Sequence, residues 1–239
     1  MFAELFGKKT VLWSSQLWNG RTDSHSHILP GVDDGIGSLE ESLRVLAQYE
    51  EWGVKHVWCT PHIMEDIPNR TDELKARFEE LKQAFKGGLQ LHLAAEYMMD
   101  SLFLERLNEK DLLPIGERGE MLLVETSCFN PPAGFELLLK NVQSAGFHPL
   151  LAHPERYAYM KEENYVKLKN SGVRFQLNVG SLGGIYGDAV KKKAEWLLKR
   201  GLYDRIGSDL HAYRMTENPA KVKKKTIDQV LSIEKQGAE

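Results

Sequence analysis

Seven times along this chain a short β-rich apolar run is followed by a longer segment of helical spacing, and that alternation restricts the fold more than any single motif does. The strand-like runs are 22–27, 55–60, 89–94, 121–126, 149–152, 173–179 and 203–208. The clearest helix begins at Ser38, where Ser38 and Glu41 have capping-box spacing and Leu39, Leu43 and Leu46 mark a stripe that ends at Gly53. Further helices are expected over 71–86, 101–109, 134–145, 162–170, 188–200 and 219–233. Repeated strand–helix units put the strands parallel and the helices outside. Seven units in 239 residues suit a closed or nearly closed barrel, so the expected fold class is α/β, a distorted TIM-like (β/α)7 barrel in a single domain. A doubly wound open sheet is the alternative, but neither G-x-G-x-x-G nor G-x-x-x-x-G-K-[ST] occurs. With no interior linker rich in Pro, Gly or Ser, the domain is expected to run over 21–239. Residues 1–20, which include Trp13 and Trp18, are then an N-terminal extension packed on it.

Charge excludes one class of partner. A net charge of −3, from 31 basic and 34 acidic residues, does not suit a protein that coats duplexes, so no nucleic-acid partner is expected. The basic stretches Lys191 to Lys193 and Lys221 to Lys225 read as solvated helix faces. No run approaches the ~20 apolar residues of a membrane span, and residues 1–9 lack the apolar core of a signal peptide. A cytoplasmic location without membrane insertion is expected, with Cys59 and Cys128 reduced.

The residues that close the strands carry the chemistry. His25 and His27 end the first run, His62 the second, Glu96 the third, Glu125 the fourth and His153 the fifth, while Asp209 and His211 follow the last. In a parallel barrel these ends share one rim, where such folds place their active sites. After the turn at Pro30 and Gly31, Asp33 or Asp34 adds a hard oxygen donor; spacing alone leaves the choice open. Five histidines with four or five carboxylates exceed what one metal takes and fit two or three. Asn178, near the end of the sixth run, is placed to hydrogen-bond into the group. His56, His92 and His148 lie inside or at the start of strands and read as structural, Glu65 and Asp66 as loop carboxylates, and Glu155 as a partner of Arg156. Gly180 to Gly187 reads as a rim loop, with Tyr157 and Tyr186 packing at the rim. A cysteine-based phosphatase needs an arginine six positions beyond its nucleophile. Glu65 and Gly134 stand there instead, which removes that chemistry.

Taken in order, Asp23-x-His-x-His27, Gly31-Val-Asp-Asp-Gly35, Thr60-Pro-His62, Ala95-Glu96, Leu123-Val-Glu125, Ala152-His-Pro-Glu-Arg156 and Ser208-Asp-Leu-His211 resemble the polymerase and histidinol phosphatase (PHP) superfamily. Within it the pattern is most similar to the bacterial CpsB/YwqE-type protein-tyrosine phosphatases, over residues 23–211. The resemblance implies a centre of two or three divalent ions, commonly manganese, with iron, cobalt or zinc accepted by the same donors. It implies that His25, His27, Glu96 and Asp209 surround one ion, and that Glu96 bridges to a second held by Glu125 and His153. Asp34, His62 and His211 hold the third, with Asp34 chosen over Asp33 by motif position. Arg156 matches the family's phosphate-contacting arginine. Arg214 stands for a second such arginine, although it lies closer to His211 than the family pattern has it.

The expected activity is hydrolysis of phosphotyrosine by attack of a hydroxide generated on the ions. The resemblance implies as partner a phosphotyrosine-bearing protein, a bacterial tyrosine autokinase that regulates capsule or exopolysaccharide synthesis. The alternative keeps the site and changes the substrate to a small phosphomonoester, as in histidinol-phosphate phosphatases. A non-catalytic domain of the same fold would have lost ligands, and no ligand position here is degraded. A nuclease reading lacks polymerase context and a pronounced basic groove.

Overall fold

Residues 9–233 are described by a computed structural model of the chain. Its first half comprises β1 (Lys9–Val11), α1 (Ser15–Trp18), β2 (Thr22–Ser26), α2 (Leu39–Trp52), β3 (His56–Cys59), β4 (His62–Ile63), α3 (Thr71–Ala84), β5 (Gln90–Leu93), β6 (Glu96–Met98) and α4 (Ser101–Glu109). The second half holds β7 (Met121–Glu125), α5 (Phe135–Ser144), β8 (His148–Ala152), α6 (Glu162–Asn170), β9 (Arg174–Asn178), α7 (Val179–Gly183), α8 (Asp188–Lys199), β10 (Arg205–Gly207), β11 (Lys221–Lys223) and α9 (Lys224–Val230). The ends of the expected 1–20 and 21–239 segments, residues 1–8 and 234–239, lie outside the described residues.

Two parallel ladders form, β10-β9-β8-β7-β6-β4 and β2-β3-β5. They are parts of one curled sheet. Thr60 and Pro61 separate β3 from β4, and Ala94 and Ala95 separate β5 from β6. Pro61 has no N–H to give the ladder, yet its carbonyl accepts from Glu96 N at 3.0 Å, and Ala94 N donates to Cys59 O at 2.9 Å. At the other edge His27 N donates to Leu210 O (2.9 Å) and Asp209 N to His25 O (2.8 Å), which ties β2 to the segment after β10. Period-two alternation sorts the side chains. Met121, Leu123, Leu150 and Ala152 form one apolar cluster, and Leu122, Val124 and Leu151 join the large core beneath the helices. The result is a mixed α/β domain built on a curled parallel sheet.

α2 shows how local chemistry sets an element. Ser38 caps it by accepting from Glu41 N, and Gly53 ends it at φ 79°, donating to Glu50 O and Tyr49 O. The capping box is only half made, because Glu41 Oε1 accepts from Tyr213 N at 2.9 Å instead of returning to the cap. The buried stripe is Ser42, Val45, Leu46, Tyr49 and Trp52, while Leu39 is exposed. The stripe is rotated from the expected one because Ser42 packs close enough to donate to Ile28 O (2.7 Å). Trp13 stacks on Trp18 and Trp18 on Tyr49, both at 6.2 Å, so residues 12–18 are held on α2 by aromatic burial.

Three further departures from expectation have physical causes. Part of the glycine-rich segment is helical, because the Asn178 side chain accepts from Gly180 N and caps α7. The expected helix over 219–233 shortens to α9, preceded by β11, which pairs antiparallel with β1. Val222 is buried between exposed Lys221 and Lys223, so that part of the basic stretch lies on a strand edge rather than a helix face. No described helix is long and apolar enough to cross a membrane.

Candidate metal centre

The strand ends deliver their side chains to one place. His25 lies on β2 and His27 just beyond it; His62 starts β4 and pairs in register with Glu96 at the start of β6, while Glu125 closes β7. Two donors need unusual backbone: His153 (φ 33°) and Asp209 (φ 52°) sit in the left-handed region that L residues seldom adopt. Two glycines make room for the histidines. A Cβ on Gly207 would stand 2.4 Å from His25 Cβ, and one on Gly35 would stand 2.3 Å from His27 O.

Three overlapping donor groups result: His25, His27, Glu96 and Asp209; His27, Asp34, His62 and His211; and His62, Glu96 and Glu125. Glu96 Oε2 lies 3.1 Å from His25 Nε2, 3.3 Å from His27 Nε2 and 3.2 Å from His62 Nδ1. His153 Nε2 approaches Glu96 Oε1 at 3.0 Å and Glu125 Oε2 at 3.6 Å. Asp34 Oδ1 stands 3.5 Å from both His62 Nε2 and His211 Nε2. These donors suit a metal on an independent ground. Glu96 Oε2 and His62 Nδ1, which face each other at the centre, are buried yet make no hydrogen bond, a costly arrangement for polar atoms without a ligand to face. Imidazole nitrogen mixed with carboxylate oxygen is the donor set of first-row divalent ions.

The rings are oriented from behind. Gln176 Nε2 donates to Ser24 O (3.0 Å), an acceptor only, so the amide must present Oε1 to His25 Nδ1 at 2.6 Å. His25 therefore carries its proton on Nδ1 and turns the Nε2 lone pair to the centre. Asp33 does the same for His27, accepting from Nδ1 at 2.8 Å, and also accepts from His62 N and Gly35 N. His211 Nδ1 donates to Asp209 O at 2.9 Å. The two aspartates after the Pro30 turn thus divide the work: Asp33 orients a ring, and Asp34, mostly exposed, faces His62 and His211.

Gln176 was not among the expected site residues, and Asp33, weighed there as an alternative donor to Asp34, orients a ring instead. Gln176 was legible as a polar residue inside an apolar strand, two positions from Asn178 and so on the same face. Gln176→Leu is expected to lower metal affinity about 10- to 100-fold with the fold retained, measured by metal titration and thermal melting. Affinity within twofold of the parent would reject the orienting role.

Electrostatics agree with cation binding. Burial alone would lower the pKa of His25, but the charges of Glu96 and Asp209 overcome it and raise it to about 9. His27 is driven well above its usual value, against burial, by the nearby carboxylates of Asp209, Asp33 and Glu96. Burial would raise Glu96 and Asp209, yet the neighbouring imidazoles hold both carboxyls below the ordinary range. His211 is pushed down by burial and by the charge of His27. A site that draws protons this strongly onto imidazoles draws a divalent cation by the same field.

Arg156 Nη1 donates to Asp209 Oδ2 (2.9 Å), and its guanidinium lies over the Tyr186 ring at 4.6 Å. Asn178 Nδ2 donates to the same Asp209 oxygen (2.7 Å) and to Tyr186 OH (3.0 Å). Glu155 does not pair with Arg156. It is fully buried, accepting from Asn178 N and Tyr203 OH, because the turn after His153 points it beneath the rim. Tyr157 is fully buried rather than on the rim surface, with its hydroxyl donating to Ala152 O. Arg214 is exposed on the short turn Tyr213–Met215. His56 and His92 hydrogen-bond each other at 3.1 Å, and Glu65 lies in a loop beside Asp100.

A curled parallel α/β sheet that gathers such donors at its rim defines a class, the metal-dependent hydrolases. The chain belongs to the family described as "Capsular polysaccharide synthesis, CpsB/CapC", whose sequence model matches residues 21–232. It is 29% identical to CapC of Staphylococcus aureus over 215 residues, covering 87% of this chain and 83% of that one. It is 28% identical to the tyrosine-protein phosphatase YwqE of Bacillus subtilis (strain 168) over 195 residues, covering 79% and 76%. Its fold matches a solved structure reported for YwqE and for CpsB of Streptococcus pneumoniae, described as unique metal-dependent tyrosine phosphatases. The TM-score is 0.69 at 25% identity, over 89% of this chain and 87% of that one.

Proposed function

We propose that this protein is a metal-dependent protein-tyrosine phosphatase. The observation that carries the reading is the junction of three donor groups at His27, His62 and Glu96, with the guanidinium of Arg156 anchored beside them on Asp209. We read the curled sheet as a distorted (β/α)7 barrel and the donors as holding two or three divalent ions, manganese first among them. His25, His27, Glu96 and Asp209 would hold one. Glu96, Glu125 and His153, with His62 Nδ1 near, would hold a second, and Asp34, His62 and His211 a third. Divalent ions so held supply an activated water near neutral pH and neutralise charge on phosphoryl oxygens.

The chain's own residues do the rest. Arg156 is tied to Asp209 by one nitrogen and stacked on Tyr186, which leaves its remaining donors to clamp a phosphoryl group in a fixed orientation. Asn178 keeps Asp209 in place through the same oxygen. A phenolate leaving group, with a pKa of about 10 when free, departs without a strong general acid. Arg214 is assigned no contact with the phosphoryl group.

Neither thiol is a nucleophile in this reading. Burial raises both Cys59 and Cys128 above the ordinary thiol value and keeps them protonated. Cys59→Ala with Cys128→Ala is expected to keep kcat near that of the parent; a folded but inactive double variant would overturn this. For the partner, we propose the tyrosine-rich tail of a bacterial autokinase in the cytoplasm that controls capsule synthesis. Comparison of kcat/KM on phosphotyrosine peptides and on histidinol phosphate tests the substrate class. A preference for the peptides of about tenfold or more is expected, and equal turnover would favour a small-molecule phosphatase.

A further inference from the structure

We propose that the groove between α5 and α6 receives an apolar side chain that flanks the phosphotyrosine in the protein substrate. This rests on the phosphatase reading and adds a docking subsite to it. The groove has a volume of about 520 Å³ and is walled by Pro131, Pro132, Phe135, Tyr159, Met160 and Leu168. That is room for one or two large side chains.

Its place in the fold says what fills it. The loop over 126–134 leaves Glu125 directly, and the segment over 157–160 leaves Arg156 directly. Those two segments are stitched together: Tyr159 OH bonds Thr126 Oγ1 at 2.6 Å, and Ala158 N donates to Cys128 O at 2.7 Å. Tyr157 stacks on Tyr159 at 5.7 Å while its own hydroxyl holds Ala152 O, one residue from His153. The inner wall of the groove is therefore built from the segments that carry the candidate phosphate and metal ligands. A protein substrate that presents its phosphotyrosine to the rim has this surface within reach of its neighbouring residues.

The lining selects the chemistry of the occupant. Its charged members at the outer side, Lys167 and Glu136, pair with each other at 2.5 Å and leave no net charge to attract an ionic side chain. Five large apolar side chains are exposed among the described residues, and Phe129, Leu137 and Val166 of this loop and its two helices are three of them. Leu137 also lines the groove, so its exposed apolar surface is of the kind that is covered when a partner binds.

The test scans leucine through each position flanking phosphotyrosine in an otherwise alanine peptide, comparing wild type with Leu137→Glu. Leu137 is 62% exposed, so the fold tolerates this change. Wild type is expected to prefer leucine at one or more flanking positions by about tenfold in kcat/KM. In Leu137→Glu that preference should fall severalfold, with turnover of p-nitrophenyl phosphate unchanged. Equal kcat/KM for every peptide in wild type overturns the docking subsite and leaves the phosphatase reading standing. So does a variant that keeps the leucine preference but sediments differently, because the groove would then belong to a second copy of the chain. Loss of p-nitrophenyl phosphate turnover in step with peptide turnover would also overturn it, placing the effect on the chemistry. Failure of wild type to hydrolyse any phosphotyrosine peptide would overturn the phosphatase reading itself.

Discussion

Glu96→Gln is expected to lower phosphotyrosine hydrolysis by about three orders of magnitude while the domain stays folded. Among the described residues Glu96 is the only one whose carboxylate belongs to two of the donor groups, and its two oxygens are within 3.3 Å of four histidine rings. Glutamine keeps the shape of the side chain and its place on β6, opposite His62 and Leu123. It replaces one anionic oxygen with an amide N–H that can neither bind a cation nor accept from an imidazole. The loss should therefore fall on kcat and on metal content together, with a far-ultraviolet spectrum like that of the parent. A folded Glu96→Gln enzyme within tenfold of parental activity would show that the centre does not converge on this carboxylate.

Removal of divalent ions by chelation and dialysis is expected to abolish activity, to lower the melting temperature, and to be reversed by added Mn²⁺. The reason lies in what the bare site must do. Glu96 and Asp209 are ionised and fully enclosed, and beside Arg156 they are balanced there by protons held on His25 and His27. A bound cation replaces those protons and stabilises the folded state alone. At a free concentration of 100 Kd that contributes about 2.7 kcal/mol, which for a domain of this size is a shift of roughly 5–10 °C. Rebinding should also release protons, measurable in weakly buffered solution. An unchanged melting temperature with full activity after chelation would argue that the donors serve only as a buried hydrogen-bond network.

Much of this centre was legible because strand ends are punctuated. His25, Glu125 and His153 fall within a residue of the ends of β2, β7 and β8, His62 and Glu96 follow the breaks after β3 and β5, and parallel pairing brings such ends to one rim. What sequence spacing could not resolve depends on contacts made at long range. Asp33 and Asp34 are adjacent, and only the fold shows that Asp33 turns inward to His27 while Asp34 faces His62 and His211. Glu155 stands next to Arg156, yet the left-handed turn at His153 sends the two in different directions. Glu41 has capping-box spacing but is drawn to Tyr213 N, from a segment 172 residues away. Gln176 orients His25, 151 residues distant, and no local pattern contains that partner. α7 went unseen for another reason: its stability comes from the Asn178 cap rather than from apolar periodicity in a glycine-rich stretch.

Elemental analysis of the purified protein, with phosphotyrosine phosphatase activity measured on the same sample, bears most directly on the metal centre. Two or three equivalents of a first-row divalent metal per chain are expected, with activity rising and falling in proportion to that content. A fully active protein that carries no such metal would contradict the assignment of His25, His27, Asp34, His62, Glu96, Glu125, His153, Asp209 and His211 as its ligands.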